Sequence, residues 1–194
     1  SRHDAEATNK IVESLPSVLR YSLKRTTSIY ALLDSRHNAD AANKIVERLP
    51  SVLGCSLKRT RTIYALLDSR HDADATNKIV ETISSVLGYS LKRTRTIYEL
   101  LDSRHDADAT NKIVEILPTV LSCSLKRTRT IYELLDSRHN ADATSKIVEK
   151  LPSVLGCSLK RTRTIYELLD SRHDAEATNK IVEILPTVLS CSLK

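Results

Sequence analysis

The chain has 194 residues, a formal net charge of +6 and 41% hydrophobic residues, with no Phe, Trp or Met. Its apolar stretches, such as 113–121, are too short and too interrupted to span a membrane, and no signal peptide is visible. Three Gly and five Pro leave little material for flexible linkers. The basic balance favours a polyanionic partner.

A block of 34 residues recurs along the whole chain. A fixed period of this length is typical of an α-solenoid, in which each repeat buries its apolar face only against its neighbours. We therefore predict one elongated all-α domain, a right-handed superhelix. Residues 1–24 would hold the loop and second helix of a partial repeat, and complete repeats would follow at 25–58, 59–92, 93–126, 127–160 and 161–194. Because the chain begins and ends within a block, we expect it to be a segment of a longer array.

The first helix of each repeat is expected to be short. In the repeat 93–126, Thr94 or Thr96 would cap this helix, since Thr96 and Glu99 match a capping box. The helix should end near Arg104. Its core face is the i, i+3, i+4 stripe of Ile97, Leu100 and Leu101.

The second helix is expected to be longer and bent. It follows a turn at His105 and Asp106 and should begin near Ala107, with apolar residues four apart as far as Leu125. Pro118 falls inside this pattern and removes one backbone hydrogen bond, so it predicts a bend. The equivalent prolines are Pro16, Pro50, Pro152 and Pro186. The third block has Ile83 and Ser84 at this place, which predicts a straighter helix.

The two ends of the helices should carry different side chains. Because the helices alternate in direction, every His-Asp/Asn turn should lie on one edge of the solenoid. The Lys-Arg-Thr connections, such as 92–94, should lie on the opposite edge as a solvated basic rim. Tyr98 and Tyr132 are expected to pack between repeats.

The four cysteines are predicted to be packing residues. Their shared repeat position is occupied by Tyr21 and Tyr89 in other blocks, and a position that accepts both Cys and Tyr is not a metal or disulfide position. Equivalent positions in adjacent repeats should also be too far apart for an unstrained bridge. The pattern fits a reducing compartment. The cysteines are Cys55, Cys123, Cys157 and Cys191.

The turn between the helices reads Ser-Arg-His-Asp/Asn, and its last residue varies between two letters in a constant frame. Asp and Asn are both preferred N-caps, so capping alone could produce this variation. Recognition of a ligand is the alternative, and it is favoured by the constant His, which capping does not require. The histidines are His3, His37, His71, His105, His139 and His173. The residues that follow them are Asp4, Asn38, Asp72, Asp106, Asn140 and Asp174.

These pairs do not predict an active site. They are strung one per repeat along a rod, so they cannot converge, and no Ser or Cys nucleophile stands beside them with an orienting group. We therefore predict no enzymatic activity, no metal and no cofactor.

The two-helix repeat, the proline of its second helix followed by a Val-Leu pair, and His-Asp or His-Asn in the turn resemble the TAL-effector-like DNA-binding repeats, especially the divergent ones of marine bacteria. The resemblance covers the whole chain. It implies that each His braces its turn and that the next residue faces one base in the major groove. His-Asp is associated with cytosine and His-Asn with guanine, so the implied target is 5′-CGCCGC-3′. The base-reading residues would be Asp4, Asn38, Asp72, Asp106, Asn140 and Asp174.

The chemistry of the bases agrees with this assignment. An ionised Asp only accepts hydrogen bonds, and cytosine offers its N4 amino group in the major groove. Asn can donate to an acceptor such as guanine N7. Asp opposite guanine would set an anion against two acceptors, which disfavours that pairing.

The chain departs from the family after the turn. TAL-effector-like repeats usually continue with Gly-Gly and then a Lys-Gln pair on phosphate, whereas 107–112 reads Ala-Asp-Ala-Thr-Asn-Lys. Ala in place of Gly predicts a turn without a left-handed residue. The phosphate candidates are therefore the first-turn amides of the second helix, although Asp108 should repel phosphate, together with one Arg and one Lys per block. These are Arg2, Lys10, Arg36, Lys44, Arg70, Lys78, Arg104, Lys112, Arg138, Lys146, Arg172 and Lys180.

Two other classes remain open. The run 112–121 and the later Ile-Tyr-x-Leu-Leu are similar to mitochondrial transcription termination factor repeats, which also form nucleic-acid-binding solenoids but do not predict a repeated His-Asp/Asn pair. A protein-binding scaffold of the tetratricopeptide kind shares the period, but its Trp-Leu-Gly-Tyr and Ala-Phe-Pro pattern is absent. We predict a monomer that binds double-stranded DNA and has no membrane or small-molecule partner. It would act in a bacterial cytoplasm or nucleoid, or in a host nucleus if secreted.

Overall fold

The computed structural model describes residues 3–14 and 21–190, and all regular structure within those ranges is helical. The α-helices are α1 Ala5–Ser14, α2 Leu23–Asp34, α3 Ala39–Arg48, α4 Leu57–Asp68, α5 Ala73–Thr82, α6 Leu91–Asp102, α7 Ala107–Ile116, α8 Leu125–Asp136, α9 Ala141–Lys150, α10 Leu159–Asp170 and α11 Ala175–Ile184. Short 3-10 helices cover Pro50–Gly54, Ser84–Gly88, Pro118–Ser122, Pro152–Gly156 and Pro186–Ser190. The predicted all-α solenoid class is confirmed.

The chain forms two compact units, Ser1–Thr94 and Arg95–Lys194. In the first unit, α2 packs on α4, α1 on α3 and α3 on α5. In the second unit, α8 packs on α10, α7 on α9 and α9 on α11. Each unit therefore has one layer of 12-residue helices and one of 10-residue helices, in which every helix lies against its equivalent in the neighbouring repeat.

Branched aliphatic side chains fill the space between the two layers. Ile63 and Leu67 of α4 are fully buried, as are Ile45 and Val46 of α3, at no more than 1% exposure. Tyr132 is also fully buried, and its hydroxyl meets His105 of the preceding block. The prediction that Tyr132 packs between repeats is confirmed.

The first helix of each repeat begins earlier than predicted. α6 starts at Leu91, and the Ser90 hydroxyl accepts a hydrogen bond from the Arg93 N–H at 3.2 Å. Because Ser is a favoured N-cap, residues 92–94 form the first helical turn and not a connection, so both predictions at Thr94 and Thr96 were wrong. α6 ends at Asp102. Its 12 residues span about 18 Å, which separates the basic run from the His-Asp/Asn turn.

The second helix is not a long bent helix. α7 ends at Ile116, Leu117 adopts φ −127° and ψ 72°, and the 3-10 helix Pro118–Ser122 follows. A residue before proline is pushed out of the α region, so the helix ends where a bend was predicted. It is the shorter helix of its repeat, with 10 residues against 12.

The third block is broken at the same place although it lacks the proline. Ile83 adopts φ −128° and ψ 72°, and a 3-10 helix follows at Ser84–Gly88. The predicted straighter helix is therefore wrong. Packing holds this break, because the 3-10 helix buries Val86 and Leu87 and contacts both α4 and α5. Pro16, the equivalent residue of the first block, lies outside the described residues.

The turns close without a left-handed residue, as Ala in place of Gly predicted. Throughout the described ranges, no residue has a positive φ. At the end of α2, Ser35 is in the αR region and the His37 N–H donates to the Leu33 carbonyl at 2.8 Å. Neither described range contains a helix long and apolar enough to cross a membrane.

The described cysteines, Cys55, Cys123 and Cys157, are free thiols in half-buried positions. Burial raises the pKa of the Cys55 thiol, and the nearby Arg59 charge opposes that rise. Cys191 lies outside the described residues.

Candidate nucleic-acid interface

The variable Asp or Asn of each turn is the N-cap of a second helix. Its side-chain Oδ1 accepts a hydrogen bond from the backbone N–H three residues later, at 2.7–2.9 Å in all six blocks. The pairs are Asp4–Ala7, Asn38–Ala41, Asp72–Ala75, Asp106–Ala109, Asn140–Ala143 and Asp174–Ala177. Capping is therefore one role of these residues, and it uses one amide of the first turn.

The cap leaves one chemical difference between the two kinds of block. All six cap residues are exposed, and the cap bond restricts their side-chain rotamers while engaging Oδ1. The other terminal atom is Oδ2 in Asp, which accepts hydrogen bonds, and Nδ2 in Asn, which donates them. The blocks thus present either an acceptor or a donor at the same point of the turn.

In four blocks the histidine before the cap reaches into the next repeat of the same unit. His37, His105 and His139 are 7% exposed. Each places Nε2 at 2.8 Å from a tyrosine hydroxyl and Nδ1 at 2.8–3.0 Å from a glutamate Oε1. The partners are Tyr64 and Glu81 for His37, Tyr132 and Glu149 for His105, and Tyr166 and Glu183 for His139.

The other three histidines differ in exposure. The half-buried His3 makes the same two contacts, with Tyr30 at 2.7 Å and Glu47 at 3.1 Å. His71 is 6% exposed, whereas His173 is exposed. A neutral ring with Nδ1–H donating to the carboxylate and Nε2 accepting from the tyrosine satisfies both contacts at once.

In three blocks the arginine before the histidine is also bound by the next repeat of the same unit. Arg36, Arg104 and Arg138 pair with aspartates near the end of the following first helix. Their guanidinium groups lie 4.6–5.1 Å from the centre of the tyrosine ring that the histidine contacts. The paired aspartates are Asp68, Asp136 and Asp170. Three of the predicted phosphate contacts are thus committed to inter-repeat packing.

The best-formed of these ion pairs is bidentate. Arg138 donates from both terminal nitrogens to Asp170, at 2.7 and 2.9 Å. The hydrogen bond from Arg138 lowers the pKa of the Asp170 carboxyl below its usual value. Of the remaining candidates, Arg70 is half-buried, Arg172 is exposed, and Arg2 lies outside the described residues.

A third contact holds the turn backbone. The side chain five residues after the cap donates to the backbone carbonyl of the turn arginine in the preceding block, as in Asn77 to Arg36 at 2.7 Å. Ser145 makes the equivalent bond to Arg104 at 2.9 Å. Within each unit, the following repeat therefore fixes the preceding turn by binding that turn's histidine, its arginine side chain and its arginine carbonyl.

Sequence reasoning missed the residues that hold the turn. The tyrosine, aspartate, asparagine and glutamate partners recur at constant separations of 27, 32, 41 and 44 residues. Every constant residue of the block recurs as regularly, so the sequence offered no signal that would single these four out.

A groove lies beside the cap between successive second helices. In the first unit it is lined by Asn38, Asp40, Lys44 and Arg48 of one repeat and Glu81 of the next. The second unit has equivalent grooves at Asp106 and at Asn140. Each groove places a lysine six residues from the cap. That lysine is exposed in every block, as Lys10, Lys44, Lys78, Lys112, Lys146 and Lys180.

The buried tyrosines predict an alkaline limit of stability. Burial raises the pKa of Tyr64, Tyr132 and Tyr166 well above the usual range, partly offset by the adjacent arginine in each case. The folded state therefore keeps the phenol proton, so this contribution is fully present below about pH 10, the ordinary tyrosine pKa, and is lost as the pH rises above it.

We expect the free energy of unfolding to fall above about pH 10 by about 1.4 kcal/mol per pH unit for each buried tyrosine. Denaturant titrations at several alkaline pH values would measure this slope. Tyr132→Phe removes one titrating phenol and should reduce the slope by about 1.4 kcal/mol per pH unit. An identical slope in parent and variant would contradict the prediction.

Paired helices stacked in layers within each unit, with an exposed cap residue and an exposed lysine in every block, define an α-helical repeat protein. The profile of the mTERF family matches residues 4–194, and the chain belongs to that family. The family consists of helical repeats and binds nucleic acids. No curated protein sequence matches the chain. The similarity to termination-factor repeats is thus confirmed, and the TAL-effector-like resemblance stays a prediction.

Proposed function

We propose that the chain binds double-stranded DNA in the major groove and reads one base per repeat through its exposed cap residues, with the target 5′-CGCCGC-3′. It acts as a binding protein without catalytic activity. The observation that carries the proposal is the division of roles within each cap side chain. Oδ1 holds the helix in all six blocks, and the second terminal atom is an acceptor in four blocks and a donor in two.

The second atom matches the edge of the assigned base. Asp Oδ2 accepts from the cytosine N4 amino group, and Asn Nδ2 donates to guanine N7 or O6. Capping strength does not account for the choice of residue, because Asp and Asn cap about equally well. A reading group must also be held still, and in four blocks the histidine bonds to the next repeat supply that rigidity.

The lysines beside the caps are the phosphate contacts in this proposal. They are exposed in every block, whereas Arg36, Arg104 and Arg138 are held by aspartates. Six phosphate contacts would give log K against log salt a slope of about −5.

Competitive binding at one fixed, low salt concentration tests the proposal. A labelled duplex that contains CGCCGC competes with the same duplex changed to CTCCTC, and with heparin. Two mismatches at about 1–3 kcal/mol each should weaken binding at least about tenfold. The two changed bases face Asn38 and Asn140.

The outcomes separate the classes of function. A loss confined to the changed duplex supports base reading by the two asparagines. Equal competition by both duplexes and heparin would reduce the turns to helix caps on a non-specific nucleic-acid-binding solenoid. An absence of binding to any polyanion would direct the search to protein partners of a scaffold.

A further inference from the structure

The residue ten positions after each cap is the most variable residue of the block, and its charge correlates with the identity of the cap residue. The two blocks with an Asn cap have a basic residue there, Arg48 and Lys150. The four blocks with an Asp cap have an uncharged residue, namely Ser14, Thr82, Ile116 and Ile184.

This position lines the same groove as the cap. Arg48 shares its groove with Asn38, and Lys150 shares its groove with Asn140. In the Asp106 groove the equivalent residue is Ile116, whose side chain is 67% exposed. The covariation therefore links two residues that face one space.

The two basic side chains are held against the opposite wall. Arg48 donates from Nη1 to the Glu81 carbonyl at 2.8 Å, and Lys150 donates from Nζ to the Glu183 carbonyl at 3.2 Å. The carboxylates of the same glutamates accept from the histidines beside the caps. Each cation thus stands next to the glutamate that supports its own turn.

The substitutions change the charge of the groove. The Asn38 groove holds two cations, Lys44 and Arg48, and two carboxylates, Asp40 and Glu81. The Asn140 groove has the same balance, with Lys146 and Lys150 against Asp142 and Glu183. The Asp106 groove holds one cation, Lys112, and three carboxylates, Asp106, Asp108 and Glu149. Grooves with an Asn cap are neutral, and the groove with an Asp cap is negative.

We propose that Arg48 and Lys150 are specificity-determining residues of the Asn blocks, an inference that rests on the proposed function. Their charge makes the groove tolerate the acceptor-rich edge of guanine. The uncharged residues of the Asp blocks keep the groove negative and so favour the amino group of cytosine. A cleft lined by one sign of charge focuses such a field.

The effect is electrostatic and does not need contact with the same base. Ten helical residues correspond to about 15 Å along the axis, which is too far for cap and cation to converge on one base edge. A unit charge at that range in a partly solvated groove should change the preference for guanine over cytosine by about threefold per block.

The test uses Arg48→Gln with Lys150→Gln, which removes the two charges and keeps a donor for the glutamate carbonyls. Affinities are measured for duplexes with G or C at the second and fifth bases. We expect the G-over-C ratio at these two bases to fall by about threefold each, with the ratio at the fourth base, opposite Asp106, unchanged. Arg48→Lys with the native Lys150 keeps the charge and should keep the ratio.

A reverse variant guards against a folding effect. Thr82→Lys places a cation in the Asp72 block at an exposed position and should lower the preference for cytosine at the third base. Equal losses on the G and C duplexes, with a shallower salt dependence, would make the cations phosphate contacts and overturn the proposal. If the parent chain shows no base preference at any block, the proposed function fails first and this inference with it.

Discussion

His105→Ala should lower the free energy of unfolding by about 3–4 kcal/mol, through loss of buried volume and of two hydrogen bonds. The His105 side chain is fully buried, with Nε2 at 2.8 Å from the Tyr132 hydroxyl and Nδ1 at 3.0 Å from Glu149. The variant leaves a cavity and a buried phenol without its partner, whereas the partly exposed Glu149 can turn to solvent. Denaturant unfolding followed by circular dichroism measures the change.

The chain contains a matched control for this variant. His173 stands in the same turn sequence, but it is exposed. We therefore expect His173→Ala to change stability by no more than about 0.5 kcal/mol. Similar losses in the two variants would mean that the histidine acts within its own turn and not through the next repeat.

A double-mutant cycle with Tyr132→Phe measures the bond itself. The ring of Phe fills the same space and lacks the hydroxyl, so the coupling between the two changes should be about 0.5–3 kcal/mol if the His105–Tyr132 bond holds the repeats together. Additive losses would mean that the His105–Tyr132 bond does not help to hold the turn.

Asn140→Asp should move the preferred fifth base from guanine to cytosine. The new carboxylate can still accept from the Ala143 N–H, which Asn140 now caps at 2.8 Å. Asp and Asn cap about equally well, so stability should stay within about 0.5 kcal/mol. The exposed donor becomes an acceptor, and a correct base pair is favoured over a mismatch by about 1–3 kcal/mol. Selection from duplexes randomised at the fifth base measures the preference.

Asn140→Ser separates recognition from capping. Serine is also a favoured cap, but it has neither the amide donor nor the carboxylate. We expect this variant to keep its stability and to lose the fifth-base preference without acquiring another. If all three residues select the same base while the chain remains folded, the position is a cap and nothing more.

The sequence by itself determined the repeat, the helical class and the place of the turn. A 34-residue period and apolar stripes are local patterns, and they predicted stacked helix pairs that the structure contains. The backbone of the turn was also predictable, because Ala after the cap excludes a turn that needs glycine. The candidate residues Asp106 and Asn140 were visible as the variable letter of a constant frame.

Helix boundaries were harder to predict from the sequence, because two local capping signals competed. Thr96 and Glu99 match a capping box, yet Ser90 caps α6 and the box lies within the helix. The end of the second helix coincides with proline in most blocks. At Ile83 the same dihedral angles occur without proline, because the packing of the following 3-10 helix holds them.

Only the tertiary structure decided what holds each cap residue in place. The bonds from His105 to Tyr132 and Glu149 join residues 27 and 44 positions apart, and the Arg104–Asp136 pair spans 32. Such separations exceed one helix and depend on how neighbouring repeats stack. The shared groove of Asn38 and Arg48 likewise needs Glu81 of the next repeat as its other wall. A sequence of near-identical blocks specifies which residues are constant, and the stacking of the blocks specifies which of them meet.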